Sequence, residues 1–353
     1  MKKASRHWRR ALSVAAALIL CSSALASCAL EDDGNDRQAA NGLTTVKIGY
    51  LHTVAVDTHL WLGIEEGIFE KHGIKVDPVK FDTGVAESQA LSGGSLDVAM
   101  MGGVLSNFPA QGSGKVFLAN DVEFDTAQLW TAPDSGIDSV ADLEGKKVIT
   151  STGTTAHVYL YNAIKKAGID PDSVSIVNAD MPSAVTAFVS GRAEAVALWV
   201  PFDKTVKRDF PEAKMIDSAK NYYPEAAILG GWVANNEFFD KDPETMKKLA
   251  AAWLEINDTL VNDTDGSMKT VHEAAYAKDQ ELEDTERQFT FAKLYTNDQW
   301  AEHFESGAVE RWIGRSERIF VEVGGLPEYV EPSEFVDTKI FQDAYKEWTA
   351  GRS

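Results

Sequence analysis

From residue 46 onward the apolar positions fall into short runs of two kinds. VKIGYL (46–51) alternates apolar and polar residues and predicts a strand. HLWLGIEEGIF (59–69) carries apolar residues at helical spacing and is closed by Gly73. IKVDPVKF (74–81) predicts a second strand, and 87–91 a short helix broken by Gly93 and Gly94. LDVAMMG (96–102) predicts a third strand running into a glycine loop. A similar series follows. A helical turn and a strand occupy 139–150, a loop and a helix stopped by Gly168 occupy 151–169, and a strand occupies 174–179. Residues 182–199 then read as a helix, a break at Gly191 and a strand. After about residue 235 the chain becomes helix-rich and charged, and no short repeat suggests a solenoid.

Strands alternating with helices at this spacing predict parallel sheets with crossover helices. Two such series predict an α/β protein of two lobes, the second inserted into the first. Lobe 1 is expected over 46–132 and 235–353, and lobe 2 over 133–234. Two crossings make a hinge, and a ligand would sit in the cleft between the lobes.

The N-terminus changes the picture. Lys2, Lys3, Arg6, Arg9 and Arg10 precede the apolar stretch ALSVAAALIL, and LASC (25–28) ends in Cys28. A positive start, an apolar run and a small-residue exit predict a secretory signal over 1–27. The run is too short to span a bilayer, which takes roughly 20 residues. LASC resembles a lipobox, so Cys28 is the expected lipidation site. The protein would then be held on the extracytoplasmic face of the cell membrane through that lipid alone. Residues 28–45 are polar and acidic and predict a flexible tether. The other cysteine, Cys21, lies inside the signal, so the remaining chain has no disulfide and no cysteine-based metal site.

The 353 residues carry a formal net charge of −20, and loss of the five basic signal residues makes the rest more negative still. Such a field excludes nucleic acid as a partner. It also means that an anionic ligand must be held by local dipoles.

The run STGTTAH (151–157) offers those dipoles, because it follows a predicted strand and opens a helix. A helix start presents unpaired backbone N–H groups and the positive end of the macrodipole. Ordinary N-capping by Ser or Thr accounts for the same residues. Thr154, Thr155, Ala156 and His157 are therefore candidate ligand contacts. Gly102 and Gly103 lie at the carboxyl end of a strand, where open α/β sheets bind ligands, although taken alone they are better explained by a tight turn. His52 and Thr53 occupy the comparable loop after the first strand. A metal site from His52, Asp57 and His59 is conceivable, but loop histidines are usually polar surface, and none is expected. Trp199 and Phe202 could wall an apolar ligand body or pack at the hinge, and Gly230 and Trp232 mark the second crossing. No G-x-S-x-G, H-E-x-x-H, P-loop or G-x-G-x-x-G is present, so neither an enzyme nor a cofactor is expected.

Taken together, IGYL, GIFEKHGIKV, KFDTG, ALSGGSLDVAMMG, DSGIDSVADLEGKKV, TTAHVYL, KKAGIDPDSVSIVN and AFVSGRAEAVALWVPF resemble the substrate-binding proteins of ABC importers for taurine, alkanesulfonates and nitrate. These lie within the wider NMT1/THI5-like group. The resemblance implies a two-lobed type II periplasmic-binding fold, a small organic anion as ligand, and an ABC permease with its ATPase as partners to a monomer. It implies that Gly102, Gly103, Thr154, Thr155 and Trp232 surround the anion. Taurine-binding members carry an acidic residue just before the hinge tryptophan, whereas this chain has Gly230 and Gly231 before Trp232. A buried ammonium without a partner is costly. The resemblance therefore favours an alkanesulfonate or a carboxylate over taurine. A pyrimidine-synthesis-type enzyme of the same fold, or a ligand sensor for a membrane receptor, is the alternative.

Overall fold

The computed structural model describes residues 42–224 and 226–352; the signal segment, Cys28 and nearly all of the tether lie outside them. Among the described residues ten strands form two five-stranded sheets. The first has the order β2-β1-β3-β10-β4, from β1 (Thr44–Tyr50), β2 (Ile74–Lys80), β3 (Val98–Met101), β4 (Lys115–Val122) and β10 (Leu229–Ala234). The second has the order β7-β6-β8-β5-β9, from β5 (Ala127–Thr131), β6 (Lys147–Thr150), β7 (Ser175–Asn178), β8 (Ala195–Trp199) and β9 (Lys214–Ser218). Within each sheet the strands joined by crossover helices are parallel, and the strand arriving from the other lobe is antiparallel to its neighbours.

The sheets divide the chain slightly differently from the expected boundaries at 132/133 and 234/235. β5 lies before residue 133 but belongs to the second sheet, and β10 lies before residue 235 but belongs to the first. The crossings are therefore 123–126 and 219–228. The C-terminal part does not belong wholly to lobe 1 either. On the helix Ala308–Glu322, Val309 and Ile313 pack in the first core, while Ile319 and Phe320 pack in the second. This one helix spans both lobes.

Local sequence explains the main supports. The helix Pro243–Asn262 starts with Pro at its first turn and with Asp242 accepting from the Thr245 amide. Its Met246, Leu249, Ala250, Trp253 and Leu260 then face the first core. Each large apolar side chain buried there contributes about 1.5–3 kcal/mol. Trp253 also donates from Nε1 to Asn120 Oδ1 at 3.0 Å, and Asn120 Nδ2 donates to the Val56 carbonyl at 3.0 Å. One buried amide thus ties this helix, β4 and the helix Val54–Glu65 together. No helix among the described residues is long and apolar enough to cross a membrane.

Candidate functional site

The carboxyl ends of β1, β3 and β4 and the start of β10 share one edge of the first sheet. The chain leaves β4 at that edge for the second lobe. Several candidate residues meet there. The Gly103 amide donates to Thr155 Oγ1 at 3.0 Å, and Thr155 Oγ1 donates to Glu123 Oε1 at 3.2 Å. Thr126 Oγ1 donates to the other Glu123 oxygen at 3.1 Å. The knot joins the β3 loop of lobe 1, the first crossing, and the helix Thr155–Lys166 of lobe 2. Glu123 was not among the sequence candidates. Burial pushes its carboxyl up to about 7, against the pull of Thr126, Thr155 and the Gly103 amide.

Close approach requires both glycines. A Cβ on Gly102 would stand 2.4 Å from Glu123 Oε1, and one on Gly103 would stand 2.6 Å from Thr155 Oγ1 and 3.1 Å from the Thr155 backbone. The lobes could not meet here with side chains in place.

The helix start is arranged differently from a ring of hydroxyls. Gly153 takes a φ of +75°, which favours glycine. The Thr154 hydroxyl turns back to the Ser151 carbonyl at 2.7 Å, and Thr155 is committed to Glu123. The Gly153 amide donates to His157 Nδ1 at 3.1 Å, and burial pushes that imidazole down to about 4, so it is neutral. The backbone N–H groups of Thr155 and Ala156 lie in the first turn, where no intrahelical carbonyl reaches them. Backbone dipoles, not hydroxyls, are what this end offers an anion.

On the other side of the first crossing, Trp199 pairs with Ala127 in the ladder, and the Val200 amide donates to the Thr126 carbonyl. Trp199 and Phe202 are half-buried and meet edge to face at 5.8 Å. The structure thus brings Gly102, Gly103 and Thr155 together, with Trp199 on the strand paired to the end of the first crossing and Phe202 against its ring. Trp232 is placed elsewhere: it is fully buried between Phe69 and Phe117 in the lobe 1 core. Its indole is part of the lobe 1 core and does not line the surface.

The loop after β1 is shorter than the sequence suggests, because the helix begins at Val54 and absorbs Asp57 and His59. His59 stacks on Trp253 at 5.2 Å and its ring nitrogen lies 3.2 Å from Asn257 Oδ1. Asp57 accepts from Trp61 and Tyr276. No three His, Cys, Asp or Glu among the described residues are placed to hold a metal ion. Thr53 is the N-cap of that helix through its backbone carbonyl. His52 has a φ of +53°, the only positive value at a non-glycine among the described residues. Its ring stacks on Tyr276 at 4.5 Å, with Asp279 3.2 Å away.

A second hidden carboxylate changes the reading of Gly230. Asp121 is opposite Gly230 in the β4–β10 ladder, and a Cβ on Gly230 would stand 2.4 Å from Asp121 Oδ1. A buried carboxylate on the neighbouring strand thus occupies the space beside Gly230. Two surface cavities, of about 340 and 600 Å³, share Arg315, and none of these residues lines either.

Comparison with known proteins agrees with this architecture. Residues 56–265 match the family model described as NMT1/THI5 like. A Brucella abortus protein named as a binding protein is 27% identical over 82% of this chain and 89% of its own. The taurine-binding periplasmic protein of Escherichia coli is 27% identical over 57% of this chain and 62% of its own. The alkanesulfonate-binding protein SsuA of Xanthomonas axonopodis, solved bound to MOPS, superposes with a TM-score of 0.66 at 21% identity, covering 83% of this chain and 98% of that one. The fold is the two-lobed one of periplasmic binding proteins.

Proposed function

The chain belongs to the NMT1/THI5-like family, and from that premise we propose that it is the extracytoplasmic solute-binding component of an ABC importer. It captures a small organic anion, a sulfonate or a carboxylate, closes its lobes around it and presents the closed form to a permease and its ATPase. No bond is made or broken. The observation that carries this reading is the contact of Gly103 with Thr155 across the lobes, which sets a helix N-terminus against the β3 loop. A helix start with free N–H groups holds an anion without a lysine, as a strongly acidic protein requires. The relatives named for taurine and alkanesulfonate binding support the ligand class. The protein acts as a monomer, fixed to the outer face of the membrane by a lipid on Cys28.

Thermal unfolding with a panel of alkanesulfonates, aromatic carboxylates, nitrate and taurine tests the ligand class. At least one organic anion should raise Tm in a concentration-dependent way. No shift with any of them defeats the reading. Cys28→Ala should move the protein from the membrane fraction to the soluble one, and retention in the membrane would refute the anchor.

A further inference from the structure

The smaller surface cavity, of about 340 Å³, has a chemistry of its own. Three cations line it, Lys165, Lys166 and Arg315, with Asn162, Asn221 and Tyr222 beside them. Among the described residues no carboxylate lines it. The chain as a whole carries 54 acidic residues against 34 basic ones. Three cations around one space therefore depart from the surrounding field, and they repel one another. Little within the protein relieves them. The side chains of Arg315 and Lys166 have no ion pair or hydrogen bond among the described residues. Lys165 has Glu322 at 3.4 Å, and Glu322 also accepts from the Tyr161 hydroxyl at 2.6 Å. Both lysines stand in the last turn of the helix Thr155–Lys166, where they complement its negative pole. Arg315 comes from the helix Ala308–Glu322 and has no such role. The larger cavity beyond Arg315 carries Glu310 and Glu331 beside its arginines and is correspondingly less positive.

We infer that this cavity is a second binding site, for a multivalent oxyanion of the phosphate class: inorganic phosphate, pyrophosphate or a small phosphate monoester. Three cations balance more than one negative charge, whereas the cleft offers backbone dipoles suited to a monoanion. The planar guanidinium of Arg315 forks two parallel N–H donors onto one phosphoryl group, and the lysines add point charges from another helix. Asn162, one turn before the lysines, is half-buried and has an amide to donate. Asn221 and Tyr222 already donate to Asp217, at 2.6 and 2.7 Å, so they form a fixed wall. The site also bears on the hinge. Asn221 and Tyr222 belong to the second crossing, Arg315 to the helix that packs in both cores, and the lysines to the helix whose start faces the cleft. An oxyanion held here ties the second crossing to both helices. The 12 residues of the helix Thr155–Lys166 set its two ends about 18 Å apart, far enough for salt to screen one anion from the other. Both sites can therefore be filled at once.

Calorimetric titration of the whole secreted chain with inorganic phosphate and pyrophosphate, at low and at physiological salt, is the test. Pyrophosphate should bind once per chain and more tightly than phosphate, and saturating ethanesulfonate should not displace it. Arg315→Gln and Lys166→Gln should each weaken pyrophosphate about tenfold or more, the loss of one charge-assisted contact. Both side chains are exposed and unpaired among the described residues, so the unliganded variants should unfold at the wild-type temperature, which separates lost recognition from lost folding. Gly103→Ala, which acts at the cleft, should bind pyrophosphate as the wild type does. Pyrophosphate should slow hydrogen exchange at residues 219–223. Phosphatidylcholine vesicles with and without phosphatidic acid identify the source of the phosphate. Capture by the phosphatidic acid vesicles alone, lost in Arg315→Gln, assigns it to a lipid headgroup, and binding of the soluble probes assigns it to a free ligand. No binding by any probe overturns the site. Pyrophosphate binding that survives both substitutions, that ethanesulfonate displaces or that Gly103→Ala abolishes lies elsewhere and overturns it too. Binding that vanishes at physiological salt is unspecific attraction and has the same consequence.

Discussion

Arg287 donates to Asp203 at 3.0 Å and thereby joins a helix of lobe 1 to a helix of lobe 2. Asp203 lies on the helix Phe202–Asp209 and is fully buried, and it also accepts from Lys207 at 2.8 Å. Arg287 lies on the helix Leu282–Phe289, whose Phe289 packs in the lobe 1 core. A second pair, Lys204 with Asp284 at 2.7 Å, joins the same two helices. The lobes are therefore clasped by charge on one flank as well as knotted at Thr155.

Removing Arg287 should weaken closure. Arg287→Ala leaves Asp203 with Lys207 alone and cuts one interlobe tie. Arg287 is about a third exposed, so the loss is screened and should be about 1–2 kcal/mol rather than the larger value of a fully buried pair. Small-angle scattering should show a larger radius of gyration, and ligand affinity should fall several-fold. An unchanged radius and affinity would mean that the clasp does not bear on closure.

Gly103→Ala should separate folding from binding. The added methyl meets Thr155 Oγ1 at 2.6 Å, Ile228 at 2.9 Å and the Thr155 backbone at 3.1 Å. The Thr155 contacts come from the opposite lobe, so the strain, about 1–3 kcal/mol, falls mainly on the closed form. Affinity for any stabilising anion should drop by about tenfold or more while each lobe keeps its circular dichroism. Wild-type affinity in this variant would remove Gly103 and Thr155 from the site.

The elements that alternate in sequence were legible, and those that form the hinge were not. The strands β1, β2, β6 and β7 and the helices beside them follow their apolar spacing within a few residues. β4 (KVFLANDV) is almost wholly buried, so it shows no alternation, and its Asn120 and Asp121 look like loop residues. β10 (LGGWVA) reads as a glycine-rich connection, because its two glycines exist to admit Asp121 and the β4 backbone. Gly102, Gly103 and Thr155 were visible as a glycine loop and a helix start. Glu123 and Asp121 were not, since only pairing across strands brings them to those glycines. A charged residue inside an apolar run was the one available signal.

Glu123 should make stability depend on pH. Its ordinary value of 4.5 rises to about 7 in the fold. Between those values the folded protein holds a proton that the unfolded chain has released. Its contribution is therefore complete below about pH 4.5 and is lost as pH rises toward 7. The difference reaches at most about 3 kcal/mol. Glu123→Gln cannot titrate, so wild-type stability relative to this variant should decline from pH 5 to pH 8. The neutral histidines His59 and His157 act in the opposite sense, but they are common to both proteins and cancel. A stability difference that is the same at pH 5 and pH 8 in denaturant titrations would place the Glu123 pKa at its ordinary value.

Lys293 should control the stiffness of the hinge. Its backbone exchanges two hydrogen bonds with Val122, the last residue of β4, at 2.9 and 3.0 Å. Its ammonium stands 5.8 Å from the ring of Phe124 in the first crossing and 5.5 Å from that of Tyr223 in the second. The Tyr295 ring lies at 5.5 Å on a third side. Phe124 and Tyr223 meet edge to face at 5.3 Å, so a single cation braces both crossings where they touch. Lys293→Met keeps the length of the side chain and both backbone bonds but removes the charge. With about 0.5–1 kcal/mol for each of the three partly exposed cation–π contacts, the loss should be about 1.5–3 kcal/mol. Hydrogen exchange at residues 123–126 should quicken, while exchange in the helix Pro243–Asn262 stays as it was. Lys293→Arg, which keeps a cation able to stack on rings, should restore most of the protection. If methionine protects the crossings as well as lysine does, the rings hold the hinge by apolar packing and the charge contributes nothing.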